Sequence, residues 1–300
     1  MDRTMEQEPS HPSLKQINES FEIAFNAYPA YRHILPFFQS VYTLQEASIN
    51  DTRVKSSFTS TRLLKEGLEK GVPMLDRQHA GIDVRSGFLL LKSLCDEAAK
   101  ATAGLAKGAD VLKKYVKTDA ESIKNGFHLL MSGNDREIAQ LADRLEIDGE
   151  IFVFFLYNSI WPSLAAHSAQ FTRQLHINGS WKKGYCPVCG GLPSLSFLNK
   201  IGQRHFICEF CRHQWAVKRN LCPNCVPENE IKSVGYFYSD DEAAYRAYTC
   251  DNCKTYIKTV DIRELSRPFY PPLESILTMH LDIKAEKQGY RPVSSGIQLP

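Results

Sequence analysis

The chain has 300 residues, 43% hydrophobic and 23% charged, a globular balance that excludes disorder along the whole length and leaves room for two domains. Thirty-six basic residues against 34 acidic give a formal charge of +2, too little for a global field aimed at nucleic acid or a membrane. No stretch is long and apolar enough to span a bilayer, since the nearest, Ile151 to Ala166, is interrupted by Asn158 and Pro162, and the first residues have no apolar run like a secretion signal. The expectation is a soluble, cytoplasmic protein without membrane insertion.

From about Ser13 to His176 apolar residues recur at helical spacing. Phe21, Ile23, Ala24, Ala27 and Tyr28 make one face, and Ile34, Phe37, Phe38, Val41 and Leu44 another. Further helices are expected over about Val84 to Ala106, Asp119 to Met131 and Asp135 to Leu145, with breakers at Gly71–Pro73, Gly104–Gly108 and Ser132-Gly133-Asn134. Ile151 to Phe171 is apolar nearly all round and reads as a central buried helix. The aromatics of this half are read as bundle core rather than a cofactor pocket. Cys95, beside the apolar run Leu89 to Leu94, reads as an inert core thiol.

Composition changes at Ile177-Asn178-Gly179-Ser180, read as a linker. Short aromatic and β-branched runs follow and read as strands: Leu195–Leu198, Arg204–Ile207, Gln214–Val217, Ser233–Tyr238, Tyr245–Thr249 and Thr255–Val260. After Pro271-Pro272 a last helix is expected from Leu273 to Lys287, with Leu273, Ile276, Leu277, His280, Leu281 and Ile283 on its buried face, then a loose tail from Gly289. The fold class is α+β: an all-α helical bundle over residues 1–178, two tandem rubredoxin-like or zinc-ribbon-like units over 179–268, and a C-terminal helix and tail over 269–300 packing back on the body.

Eight of the nine cysteines form four C-x-x-C pairs: Cys186/Cys189, Cys208/Cys211, Cys222/Cys225 and Cys250/Cys253. In a reducing compartment such pairs read as metal knuckles rather than disulfides, because two intervening residues let one turn aim both thiolates at one ion. The region also repeats itself. Cys186-Pro187-Val188-Cys189 and Cys222-Pro223-Asn224-Cys225 share a proline, while Arg204-His205-Phe206-Ile207-Cys208 aligns with Arg246-Ala247-Tyr248-Thr249-Cys250. Each unit therefore supplies four sulfurs. Cys186, Cys189, Cys208 and Cys211 are expected at one metal, and Cys222, Cys225, Cys250 and Cys253 at the other, with a cross-braced pairing as the alternative. Gly190 follows the first knuckle and Val226 the matching place in the third, so the two sites need not be equivalent.

Tetrathiolate sites suit zinc and mononuclear iron equally. Committing all eight sulfurs argues against an open catalytic site and against a free nucleophile. His205 and His213 read as surface or supporting groups rather than ligands. Residues 176–265 carry twelve Lys/Arg and nine Asp/Glu, an excess that eight thiolates and two divalent ions reverse. A zinc ribbon that binds nucleic acid, with Trp215, Tyr236, Phe237 and Tyr238 stacking on bases, is thereby disfavoured. An iron-tetrathiolate electron carrier remains the main alternative.

The cysteine region closely resembles the FdhE family, accessory proteins needed for active formate dehydrogenase in bacteria. The matching residues are Tyr185-Cys186-Pro187-Val188-Cys189-Gly190, Cys208 to Trp215, Cys222 to Cys225, and Asp240-Asp241-Glu242-Ala243-Ala244 leading into Cys250 to Lys258. Glu286-Lys287-Gln288-Gly289-Tyr290-Arg291 is similar to the family's C-terminal exit, so the match runs from about Tyr185 to Arg291. The resemblance implies a cytoplasmic maturation factor, not an enzyme. It would bind the catalytic subunit of formate dehydrogenase, a molybdenum or tungsten pterin enzyme, before its export by the twin-arginine route. It also implies rubredoxin-like folds holding iron, which favours iron over zinc. Asp240, Asp241 and Glu242 are candidate contacts to that subunit, or alternatively an exposed, capped turn.

Overall fold

Ser13 opens the first helix, α1 (Leu14–Ala27), by a reciprocal cap in which its hydroxyl accepts from Gln16 N and the Gln16 side chain accepts from Ser13 N. This computed structural model describes residues 12–55, 61–174, 181–225, 234–238 and 242–294. Among them α2 (Leu35–Ile49), α3 (Thr61–Glu69), α4 (Val84–Ala98), α5 (Ala103–Thr118), α6 (Ala120–Ser132), α7 (Asp135–Arg144) and α8 (Gly149–Gln174) complete the helical body. The apolar spacing gave no sign of α3, and the linker expected at Ile177–Ser180 lies outside the described residues.

Two helical expectations need correction. The helix expected over Val84 to Ala106 is two: α4 ends at Ala98, and Thr102 caps α5 by accepting from Leu105 N. Gly104 and Gly108, read as breakers, lie inside α5. A Cβ on Gly108 would stand 2.5 Å from Ile151 Cγ2, so the glycine is where α5 presses on α8. Gly133, at φ 72°, does end α6 in a left-handed cap.

Helix α8 is the axis of the body, with Phe152, Phe155, Leu156, Ile160, Trp161 and Leu164 all buried. Pro162 sits within it and cannot donate to the carbonyl of Asn158 four residues earlier. Gln45 of α2 takes over: its Nε2 donates to Asn158 O at 3.2 Å and to Asn158 Oδ1 at 2.8 Å. The proline therefore does not break the helix; it frees a carbonyl that pins α2.

Strands β1 (Pro193–Leu198), β2 (Arg204–Cys208), β3 (Gln214–Val217), β4 (Val234–Tyr238), β5 (Tyr245–Cys250) and β6 (Thr255–Asp261) follow. They form one sheet in the order β3-β2-β1-β6-β5-β4, with β7 (Arg291–Pro292) against β6. Each unit is an antiparallel three-stranded meander, and the two meet where β1 pairs in parallel with β6. A parallel seam is what two copies make when one follows the other by translation, because the first and third strands of a meander run the same way. The two tandem units are thus one sheet.

The sheet shares its packing with the body. A single buried cluster runs from Ile17, Phe127 and Phe155 through Cys186, Phe206 and Trp215 to Leu273 and Leu277. On the other face Leu195, Phe197, Tyr245 and Val260 pack with Leu281. The last helix is split at Thr278 into α9 (Pro271–Leu277) and α10 (Met279–Lys287), and Ile283, expected to be buried, is 56% exposed. Leu273, Leu277, Leu281 and Ala285 stay buried at four-residue spacing across the split, and Ile283, about half a turn round from Leu281, falls on the exposed side. Arg267 anchors α9 through a buried two-bond pair with Glu274 at 2.6 and 2.8 Å, and Tyr245 OH donates to the same carboxylate at 2.9 Å. The tail expected to be loose from Gly289 is bound as far as Val293, whose N–H donates to Tyr256 O.

Candidate metal centres

The cysteine sulfurs group by unit, first pair with second and third pair with fourth, rather than in a cross-brace. The Sγ atoms of Cys186, Cys189, Cys208 and Cys211 all lie within 4.8 Å of one another, as do those of Cys222, Cys225, Cys250 and Cys253. Individual approaches are 3.6 Å for Cys186–Cys211, 3.4 Å for Cys189–Cys208, 3.6 Å for Cys222–Cys253 and 3.8 Å for Cys225–Cys250. A tetrahedron with metal–sulfur bonds of about 2.3 Å has edges of about 3.8 Å, whereas a disulfide would bring sulfurs to about 2 Å. The donor set and its spacing fit a single tetrahedral ion, and both groups could bind one.

The same local geometry builds both. One cysteine pair lies on the turn before the first strand of a unit, and the other begins at the end of the second strand. The residue after the last cysteine adopts a left-handed conformation in each case, Arg212 at φ 56° and Lys254 at φ 54°. At the first site Gly190, φ 76°, donates to Cys186 O at 2.9 Å, and Val188 N points at Cys186 Sγ at 3.4 Å. Val226, the residue matching Gly190, lies outside the described residues.

Surroundings differ. At the first site all four cysteines are buried, and the helical body holds both turns. Met74 N donates to Pro187 O at 2.9 Å, Leu75 N to Val188 O at 2.7 Å, and Tyr185 OH to Gly71 O at 2.7 Å. Tyr157 OH, from α8, donates to Glu209 O and Phe210 O at 3.0 and 3.1 Å. The Arg77 guanidinium lies 3.9 Å over the Phe210 ring, and that of Arg212 lies 4.0 Å over Trp161 while donating to Gln45 Oε1 at 3.2 Å. Gln45, which secures the proline-bearing helix, therefore also holds the knuckle.

At the second site Cys225 and Cys253 are partly exposed. Asn252 Nδ2 donates to Cys225 Sγ at 3.2 Å, the Thr255 hydroxyl lies 3.0 Å from Cys253 Sγ, and Tyr290 OH donates to Asp251 at 2.7 Å. At both sites burial and the neighbouring groups pull the free thiols in opposite directions. Burial pushes Cys186 and Cys211 up, while hydrogen bonds from the neighbouring thiols pull Cys189 well down. Partial burial raises Cys253, yet the Thr255 hydroxyl and the thiols of Cys225 and Cys222 bring it down to about 7.

The remaining candidates are placed as follows. Cys95 is buried, and burial pushes its thiol up to about 12, as befits an inert core group. His205 stacks on Phe197, with ring centroids 4.9 Å apart. His213 is driven by burial down to about 4, so it is neutral at pH 7, and its carbonyl accepts from Cys208 N. Trp215 is buried and cannot stack on bases, unlike the exposed Tyr236 and Tyr238. Asp240 and Asp241 lie outside the described residues; the Glu242 carboxylate stands 2.7 Å from His280 Nε2 of α10. Among the described residues no helix is long and apolar enough to cross a membrane.

Fold and sites define an α+β protein in which two cysteine-knuckle units share one sheet seated on a helical body. A family model described as "FdhE, central domain" matches residues 185–219, which carry the first two knuckles. The chain is 34% identical over 150 residues to the "Protein FdhE homolog" of Aquifex aeolicus, covering 48% of this chain and 50% of that protein. It is 31% identical over 138 residues to "Protein FdhE" of Escherichia coli K12, covering 44% of each. The chain thus spans about half the length of these curated relatives. Across 96% of this chain and 97% of the other, the fold matches the crystal structure of the FdhE protein from Pseudomonas aeruginosa, with TM-score 0.66 and 20% identity. Together these matches make the chain similar to FdhE proteins, in sequence over about half its length and in fold along nearly all of it.

Proposed function

We propose that the protein is a non-catalytic accessory factor for formate dehydrogenase that binds its catalytic subunit in the cytoplasm and supports its maturation before export. The observation that carries this reading is the family match over residues 185–219, which falls on the first two knuckles rather than on the generic helical body. Its cysteines hold two metal ions, each bound by four thiolates: Cys186, Cys189, Cys208 and Cys211 at one, Cys222, Cys225, Cys250 and Cys253 at the other. Bound metal supplies cross-links that fix the two turns of each unit. Such sites have no ligand position left open for substrate, which favours a helper over a catalyst. Iron is favoured over zinc by the family resemblance. The division into residues 1–178, 179–268 and 269–300 gives the body, the metal-binding pair and the segment that straps them together. Asp240, Asp241 and Glu242 are retained as client contacts.

The test is to recover the tagged chain from anaerobic, formate-metabolising cells, identify its partners by mass spectrometry and assay its metals. Enrichment of a formate dehydrogenase catalytic subunit with two metals per chain is expected. Fully loaded protein without that subunit would sink the client reading. The second reading, an iron-tetrathiolate electron carrier, would then take its place, because the partial exposure of Cys225 and Cys253 brings one site within reach of an external redox partner.

A further inference from the structure

The repeat places an arginine at the same position of both units, Arg204 in β2 and Arg246 in β5, and the two are partnered differently. Arg246, at the outer unit, lies 3.3 Å from the carboxylate of Asp261. Arg204 is fully buried, and none of the described carboxylates pairs with it. Its side chain instead crosses the seam between the units. Nε donates to Ser196 Oγ at 3.1 Å, Nη1 to Arg219 O at 2.9 Å and Leu221 O at 3.3 Å, and Nη2 to Thr259 Oγ1 at 3.5 Å. The guanidinium lies 4.2 Å from the Tyr248 ring centroid and 5.0 Å from that of Phe206. Leu221 immediately precedes Cys222, and Arg204 and Cys222 line the same small cleft.

An unpaired buried cation is costly unless something nearby carries the opposite charge. Four thiolates around a divalent ion carry a net charge of −2, and around a ferric ion −1, so the second site is such a counter-charge once loaded. We propose that Arg204 of the first unit is the charge-compensating and positioning residue of the second unit's metal site, offsetting the tetrathiolate charge and holding the turn that leads into Cys222. The inference rests on the reading that the thiolates hold metal. It makes the two sites interdependent: the inner unit supplies the cation that the outer site needs. Arg246 has no further unit to serve and is satisfied by Asp261.

The experiment uses the full chain loaded with iron, its two Fe(III)/Fe(II) potentials followed by optical titration, in the wild type and in Arg204→Met, Arg204→Lys and Arg246→Met. Reduction makes the site more negative, so removing the cation disfavours it. In Arg204→Met one potential is expected to fall by a tenfold shift in the redox equilibrium, about 59 mV for one electron, while the other stays. Arg204→Lys keeps the charge without the fork and restores most of that shift, and Arg246→Met moves neither potential. Arg204→Gln, neutral but still a donor to the carbonyls, replaces the Met variant if that one does not fold. Two bound irons with unmoved potentials in the neutral variants would reduce Arg204 to a mechanical clamp and overturn this inference alone. A wild-type chain that takes up no metal overturns the metal reading and the inference with it.

Discussion

The two cysteine units are the same device in different settings. Both are three-stranded meanders with matching knuckles and a left-handed residue after the last cysteine. The first is gripped by the helical body through Met74, Leu75, Tyr157 and Gln45; the second is held by its own side chains, by Arg204 of the first unit at Leu221 O, and by the C-terminal tail at Tyr290, Arg291 and Val293. Local sequence therefore sets ligand geometry, whereas the neighbours set burial and rigidity. The inner unit is part of the core, and the outer one presents two partly exposed cysteines.

Replacing one ligand in each unit should break the comparison most strongly. Cys208→Ser and Cys250→Ser are each expected to lower the metal content from two to one. Structural zinc contributes about 10–16 kcal/mol to the folding of zinc-finger peptides, so losing even part of such a term at a site inside the shared core should be severe. Cys208→Ser should lower the melting temperature of the whole chain, while Cys250→Ser loosens only the outer unit. A chelator should likewise empty the wild type in two phases, the faster one from the site with exposed Cys225 and Cys253. Equal melting temperatures for the two variants, or a single release phase, would show that the sites are equivalent after all.

A second test concerns the polar seat of the inner knuckle. Burial pushes Glu46 up to about 7, with the nearby Arg212 guanidinium pulling the other way. Between pH 4.5 and 7 the unfolded chain gives up this proton while the folded chain keeps it, so stability should fall as pH rises through that window. The full effect, present above pH 7, is on the order of 3 kcal/mol. Glu46→Gln should flatten this dependence and be the more stable protein at pH 8, as read from urea unfolding at several pH values. Parallel pH profiles for wild type and variant would remove Glu46 from the account.

What could be read from sequence followed the range of the interactions. The knuckles, their grouping into fours and the six strands are signalled within a few residues, and the aligned Arg204 and Arg246 mark the repeat. The grip on the first site was not legible, because Tyr157 and Gln45 stand far from Glu209 and Arg212 in sequence and look like ordinary core residues. Gly104 and Gly108 were misread for the same reason: a glycine that breaks a helix and one that lets another helix approach are identical in one dimension. The merged sheet depends on β1 meeting β6, a pairing that no local pattern announces.

Gly184 tests which unit yields when the seam is crowded. A Cβ there would stand 2.0 Å from Pro223 O, a backbone atom of the outer knuckle. Overpacking of this kind costs about 1–3 kcal/mol when the neighbour must move. Since the inner turn is fixed by Met74, Leu75 and Tyr185, the outer knuckle should give way. Gly184→Ala is therefore expected to speed metal release from the second site and leave the first unchanged. Faster release from the first site instead would mean that the helical grip is weaker than its hydrogen bonds suggest.

The smallest effects discriminate most finely, because a single hydroxyl can be removed on each side. Tyr157 OH donates to two carbonyls of the inner knuckle, one of them buried, and phenylalanine would leave them with nothing in its place. A lost buried hydrogen bond of this type costs about 1–3 kcal/mol. Tyr290 OH donates to Asp251 in the open, where water can replace it, and exposed changes are usually within about 0.5 kcal/mol. Tyr157→Phe should thus lower stability measurably and Tyr290→Phe hardly at all, although each removes one oxygen beside one knuckle. If the two variants unfolded at the same urea concentration, the difference between the units would lie in solvent exposure of the sulfurs alone and not in how firmly the protein holds the turns that present them.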